Sequence, residues 1–234
     1  MNSDQIRTIF NRIAPVYDQL NNWLSLGQHR IWKQMTVKWS GAKPGDICLD
    51  VCCGSGDLAQ MLAERVGMKG QVFGVDFSPE QLEIARQRVQ TRYPNLPITW
   101  IEGDALDLPF PDHQFDAATM GYGLRNVTDI SRSLQELYRV LKPGAKAAIL
   151  DFNHPTNPQV RAFQQWYLDA IVVPAAQRFS LSEEYAYIAP SLDRFPTGQE
   201  QVKLALEVGF SAATHYPIAG GTMGVLVIGK SAGG

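Results

Sequence analysis

Asp50, Asp57, Asp76 and Asp104 are the side chains whose type and spacing point most directly to chemistry, because each stands at the end of an apolar run or in a glycine bend. The first two belong to Leu49-Asp50-Val51-Cys52-Cys53-Gly54-Ser55-Gly56-Asp57, the third to Val75-Asp76-Phe77 and the fourth to Gly103-Asp104-Ala105. The first run reads as a buried parallel strand, a sharp turn whose bare backbone a ligand can touch, and a helix start at Gly56-Asp57 whose amides receive a carboxylate. Asp76 ends the following strand, where a carboxylate holds both hydroxyls of a ribose. Asp104 accepts from the exocyclic amine of an adenine, and the small Ala105 leaves room for the ring. The expected pocket is made of Asp50, Gly54, Ser55, Gly56, Asp76, Phe77, Asp104, Ala105 and Gly121.

Two nucleotides fit the glycine pattern. Gly54, Gly56 and Ala59 satisfy the loose dinucleotide fingerprint, with an acid at about twenty residues' distance. Charge separates the readings. A pyrophosphate is repelled by carboxylates, whereas S-adenosylmethionine carries a sulfonium and an ammonium, and this loop is bracketed by Asp50 and Asp57. The acids favour S-adenosylmethionine; a nicotinamide oxidoreductase is the competing reading.

The elements that must position these residues alternate in βα order. Strands are expected at 47–53, 71–76, 98–103, 115–121 and 145–152, and helices at 57–66, 79–92 and 129–142. Ser78-Pro79 starts a helix and Lys142-Pro143-Gly144 stops one. Thr197-Gly198-Gln199-Glu200 fits a capping box for a last helix. Two extended runs, 210–216 and 222–228, are separated only by Pro217 to Gly221, too short for a crossover, so they must pair antiparallel. The expected fold is α/β: a doubly wound Rossmann-like sheet closed by a C-terminal antiparallel hairpin, the class I S-adenosylmethionine-dependent methyltransferase arrangement. Residues 1–40 read as a helical N-terminal cap and 155–195 as a helical lid insertion.

At 234 residues the length suits one domain, and the 45% hydrophobic content is enough for a full core. No run approaches the roughly 18 apolar residues of a spanning helix, and the N-terminus has no apolar leader region, so an intracellular protein is expected. A net charge of -2 gives nucleic acid no bulk attraction, although Arg7, Arg12, Arg30, Lys33 and Lys38 make the first forty residues locally basic. Cys48, Cys52 and Cys53 lack the spacing of a disulfide or zinc framework and read as small core residues; no metal is expected.

Beyond the pocket, several blocks carry a closer resemblance. They are Tyr17-Asp18 with Asn21, Gly27-Gln28-His29-Arg30-Ile31-Trp32-Lys33, Leu108-Pro109-Phe110-Pro111-Asp112 and Tyr122-Gly123-Leu124-Arg125-Asn126-Val127. Tyr138-Arg139-Val140-Leu141-Lys142-Pro143-Gly144 also matches, but it is widespread among small-molecule methyltransferases. End to end, the chain resembles the ubiquinone/menaquinone biosynthesis C-methyltransferases. Val172-Val173-Pro174, Tyr185-Ala186-Tyr187 and 216–224 look most like the cyanobacterial and plastid branch that finishes phylloquinone. Some relatives carry a Ser where this chain has Gly121.

The resemblance implies a lipid-soluble demethylated naphthoquinol as substrate, with demethylmenaquinol or another quinol as alternatives, and S-adenosylmethionine as methyl donor. It also implies peripheral membrane contact, with oligomerisation open. Only the reduced ring is electron-rich enough to attack a sulfonium methyl, and a phenolic hydroxyl with pKa about 10 must give up its proton first. Arg125 is the candidate to stabilise that phenolate. The competing reading of Arg125 is a salt bridge holding the cap. Tyr17 and Asn126 are expected to position the ring, with His154 a further substrate contact. The segment Phe163–Phe179, with Trp23 and Trp32, offers apolar surface for the tail. A methyltransferase fold that serves as a non-catalytic assembly partner is the third reading.

Overall fold

The computed structural model describes residues 27–155, 157–172, 174 and 188–233. In chain order these form α1 (Gln28–Trp39), β1 (Ile47–Val51), α2 (Asp57–Val66), β2 (Gln71–Asp76), α3 (Pro79–Arg92), β3 (Ile98–Glu102) and β4 (Phe115–Gly121). A 3-10 turn at Leu124–Asn126 leads to α4 (Ile130–Val140), β5 (Leu141–Phe152) and α5 (Pro158–Tyr167). After a π-turn at Leu168–Val172 come α6 (Ile188–Asp193), α7 (Gly198–Val208), β6 (Ala212–Ile218) and β7 (Met223–Gly229).

The seven strands form one sheet in the order β3-β2-β1-β4-β5-β7-β6. Neighbours from β3 through β5 are parallel, while β7 is antiparallel to both β5 and β6. Chain order reverses between β1 and β4, so the carboxyl ends of β1, β2 and β4 open on the crevice where an open α/β sheet takes its ligand.

Alternation along the strands explains the covering layers. In β1, Leu49 and Val51 enter a large cluster shared with Leu134, Leu137 and Ala205 of α4 and α7, while Cys48 joins Leu58, Leu62 and Val66 of α2. In β5, Ala147 and Ile149 join the first cluster; Ala148 and Leu150 meet Met223 and Val225 of β7, with Trp32 and Trp39 of α1 packed against them. The end of α1 is fixed further by Trp39 stacking on Tyr216, ring centroids 4.8 Å apart.

Local signals set several boundaries. Ser78 caps α3 by accepting from the Gln81 amide, with Pro79 in the first turn. Thr197 and Glu200 form a complete capping box on α7. Other expected boundaries move. The helix expected to reach 142 ends at Val140, and β5 starts at Leu141 rather than 145, because Leu141 already pairs with Phe115 ahead of a bulge between Phe115 and Ala117. The strand expected to end at 53 stops at Val51, where Cys52 turns to φ +53°. The closing hairpin is tighter than expected: Pro217 lies within β6 opposite Gly224, leaving only 219–222 as the link. Pro is tolerated there because β6 is an edge strand.

Of the segment read as a cap, residues 28–39 are helix; of the segment read as a lid, 158–167 and 188–193 are helix. Tyr17, Trp23 and Tyr185-Ala186-Tyr187 lie outside the described residues. Among the described residues, no helix is long and apolar enough to cross a membrane.

Candidate functional site

A cavity opens at the carboxyl ends of β1, β2 and β4 and is lined by Asp50, Gly54, Ser55, Asp57, Asp76, Phe77, Asp104, Ala105 and Gly121. Lys33, Tyr122, Gly123 and Asn126 complete the lining used below. The turn after β1 carries three successive departures from extended backbone: Cys52 at φ +53°, Gly54 at +52° and Gly56 at +89°. Glycine makes the last two inexpensive. Gly56, expected to touch the ligand, is not among the lining residues. A Cβ there would lie 2.5 Å from the Trp100 ring and 3.1 Å from the Ala85 Cβ, so this glycine lets the turn pack on β3 and α3.

The four acids have different environments. Asp50 is buried, and Thr119 donates its hydroxyl to Oδ1 at 2.8 Å while Oδ2 has no hydrogen-bond partner among the described residues. Burial pushes its carboxyl up to about 7, against the Thr119 hydroxyl and the charge of Lys33. Asp76 is held by the loops it joins: the Gly54 amide donates to Oδ2 at 2.8 Å and the Ser78 amide to Oδ1 at 3.0 Å. Burial raises it to about 6 despite those amides. Asp104 is exposed at the rim and accepts from the Leu106 amide at 2.9 Å.

Asp57 corrects the charge argument made from sequence. Its Oδ2 accepts from Lys33 Nζ at 2.6 Å and its Oδ1 from Arg88 at 2.7 Å. Burial alone would raise this carboxyl, but the two cations hold it down at about 2. It remains ionised, with its charge matched by neighbours, so it does not stand free toward a ligand cation. Within the glycine loop it is Asp50 that keeps an oxygen, Oδ2, with no hydrogen-bond partner among the described residues.

Arg125 and Asn126 follow β4 in the 3-10 turn. Arg125 Nη1 donates to Asp151 Oδ1 at 2.8 Å and to the Tyr122 carbonyl at 2.9 Å, and the Arg125 amide donates to Asp151 Oδ2 at 3.1 Å. The guanidinium lies 4.9 Å from the Phe152 ring centre, and both ion-pair partners are buried. Arg125 is therefore neutralised within the fold and is not among the lining residues; its salt bridge is to β5, not to the cap. Asn126 does line the cavity: its Nδ2 donates to the same Tyr122 carbonyl at 2.9 Å, leaving Oδ1 without a partner among the described residues. Tyr122 itself sits at φ +59°, a strained value for a bulky residue, at the cavity wall. His154 is likewise away from the lining: its Nε2 lies 2.7 Å from the Leu192 carbonyl and 3.1 Å from that of Phe195, tying β5 to the end of α6.

Lys33, Arg88 and Tyr122 are site residues whose contribution the sequence reading missed. The block containing Lys33 carries part of the family resemblance, but nothing local shows that its ammonium reaches Asp57, 24 residues away. Arg139 joins two other noticed blocks: it donates to the carbonyls of Leu108 and Phe110 and to the carboxylates of Asp112 and Glu136. Those bonds fix the loop that follows Asp104-Ala105. Cys48 and Cys53 are buried and Cys52 half-buried.

Comparisons with known proteins agree with this architecture. A protein of Trichormus variabilis named 2-phytyl-1,4-naphtoquinone methyltransferase is 72% identical over 228 residues, covering 97% of this chain and 100% of that one. A chloroplastic protein of Arabidopsis thaliana named 2-phytyl-1,4-beta-naphthoquinone methyltransferase is 58% identical over 228 residues, covering 96% of this chain and 87% of its own. The crystal structure of a SAM-dependent methyltransferase from Aquifex aeolicus shares the fold with a TM-score of 0.64 at 19% identity, covering 91% of this chain and 97% of that one. Residues 1–230 match the ubiE/COQ5 methyltransferase family, and the chain belongs to it.

Proposed function

We propose that this protein transfers a methyl group from S-adenosylmethionine to a ring carbon of reduced 2-phytyl-1,4-naphthoquinone, giving phylloquinol. The observation that carries the reading is the cavity itself: a glycine turn beside a buried, half-unpartnered Asp50, with Asp76 and Asp104 spaced along the strand ends. A ligand bearing an ammonium, a ribose and an adenine suits that set, whereas a pyrophosphate would lie against Asp50. The name of the 72% identical relative supports the naphthoquinone as acceptor.

Bound S-adenosylmethionine supplies the electrophilic methyl. The chain's own residues bind and orient. Asp50 receives the ammonium, Asp76 the ribose, and Asp104 with Ala105 the adenine. Asn126 lines the cavity, and its buried Oδ1, without a partner among the described residues, is the acceptor for a quinol hydroxyl once the side chain turns toward the cavity. Arg125 acts through Tyr122, whose carbonyl it shares with Asn126, so it is a positioning residue in this reading. Phe163 and Trp166 of α5 are more than half exposed, at 58% and 54%, which supports drawing a lipid-tailed quinol from a membrane surface.

The test supplies donor with a labelled methyl group and 2-phytyl-1,4-naphthoquinone either reduced or oxidised, with demethylmenaquinol as a competitor. Label should enter the ring of the reduced acceptor only. Equal labelling of the oxidised quinone, or none of either, would end the proposal; preferential labelling of demethylmenaquinol would move it to that sibling substrate.

A further inference from the structure

Lys33 is the only cation among the described residues lining the cavity, and it is out of place as a surface charge: its side chain is 7% exposed. It enters from α1, outside the βα repeat, and reaches the first residue of α2 to donate to Asp57 Oδ2 at 2.6 Å. A single pairing with Asp57 does not account for it. Asp57 is already matched by Arg88, which donates to Oδ1 at 2.7 Å and to the Ser55 carbonyl at 3.0 Å. An ammonium has three donors, and Asp57 takes one of them. Lys33 Nζ also lies 6.0 Å from the centre of the Tyr122 ring, and both residues line the cavity. Its charge is also felt at Asp50, the acid whose Oδ2 is unpartnered. The cavity lining therefore holds a cation and an acid within electrostatic reach of each other, the complement of an α-amino acid zwitterion.

The geometry points to Lys33 as the group that receives the carboxylate of the cofactor's amino-acid end, beside Asp50, which receives its ammonium; this rests on reading the cavity as an S-adenosylmethionine site. The arrangement gives α1 a role in binding. The helix is held to the sheet by Trp32 and Trp39, and Lys33 carries that anchorage to the ligand.

The experiment measures, by calorimetry on the full chain, affinity for S-adenosylhomocysteine, for its carboxamide and for 5′-methylthioadenosine, which lacks the amino-acid end. Wild-type protein should bind the carboxamide at least ~10-fold more weakly than the acid. In Lys33→Met that preference should vanish, with affinity for 5′-methylthioadenosine within about twofold of wild type. Lys33→Arg should keep most of the preference. Equal wild-type affinity for acid and carboxamide overturns the inference, and this arm needs no variant, so a Lys33→Met that fails to fold does not shield it. Equal weakening of all three ligands in a folded Lys33→Met also overturns it, since Lys33 would then only pin α1. If wild type binds none of the three, the underlying cofactor reading has failed.

Discussion

Arg125 and Asp151 form a buried ion pair across the ends of β4 and β5, 2.8 Å between Nη1 and Oδ1, and the same guanidinium nitrogen holds the carbonyl of the strained Tyr122. The pair gives a charged residue of the Tyr122–Val127 block a structural role away from the cavity lining. Removing one partner strands the other charge in a dry place. Arg125→Ala is expected to cost about 3 kcal/mol or more in chemical denaturation, and Asp151→Ala a similar amount. The double variant should lose less than the sum, because neither charge is then left alone. Strict additivity across this cycle would show that the two charges do not act as a unit.

A pH dependence follows from Asp50. Burial raises its carboxyl from 3.8 to about 7. A group whose pKa is higher in the folded than in the unfolded protein contributes stability that is complete below the unfolded value and lost as pH rises through the folded one. The unliganded fold should therefore weaken at this site between about pH 4 and pH 7. Asp50→Asn removes the titration while leaving an acceptor for Thr119. It should be more stable than the parent at about pH 8, by on the order of 2 kcal/mol, and no more stable at about pH 4. Binding a cationic amino group favours the ionised carboxyl, so calorimetry of S-adenosylhomocysteine near pH 6 in buffers of different ionisation enthalpy should register proton release. Its absence, together with a pH-independent Asp50→Asn effect, would mean that Asp50 is ionised throughout.

What the chain declares about itself divides by range. Caps such as Ser78 with Gln81, and Thr197 with Glu200, are satisfied within a few residues, so their signals stand in the sequence and in the fold alike. The glycine turn and the three strand-end acids were legible for a related reason: each is local, and βα order carries all of them to one end of the sheet. Charge pairing is not local. Nothing around Arg125 distinguishes Asp151 as its partner, 26 residues on, and nothing around Asp57 announces Lys33 and Arg88. Counting acids therefore overstated the free negative charge at the loop. The early start of β5 was hidden too, because Pro143 and Gly144 read as a helix stop while the bulge that admits them depends on the partner strand.

Gly121 offers a test of how tightly the cavity wall is packed. A Cβ at this position would lie 2.7 Å from Leu58 Cδ1, closer than van der Waals contact allows, although the obstructing atom is the end of a flexible side chain. Gly121→Ser should thus lower the thermal midpoint slightly and weaken S-adenosylhomocysteine binding, because Leu58, itself a lining residue, must shift to admit the new Cβ. Adding Leu58→Val should recover most of both losses. If it recovers neither, the wall is disturbed by something other than this contact.

Asn126 separates substrate handling from cofactor binding. It lines the cavity, spends Nδ2 on the Tyr122 carbonyl and leaves Oδ1 unpaired among the described residues, in a buried position where an unused acceptor is costly. A quinol hydroxyl donating to that oxygen would satisfy it and fix the ring, which is what an orientation-sensitive methyl transfer requires. Asn126→Ala removes both bonds. Turnover with reduced 2-phytyl-1,4-naphthoquinone is expected to fall roughly 10–100-fold. Affinity for S-adenosylhomocysteine should stay within about twofold, because the acids proposed to hold the nucleotide lie at other strand ends. Asn126→Asp tests the sense of the hydrogen bond: it keeps an acceptor at Oδ1 but loses the donor to Tyr122, so it should retain more turnover than the alanine variant if the acceptor matters most. Should both variants lose cofactor affinity in parallel with turnover, Asn126 supports the wall through Tyr122 and makes no contact with the quinol.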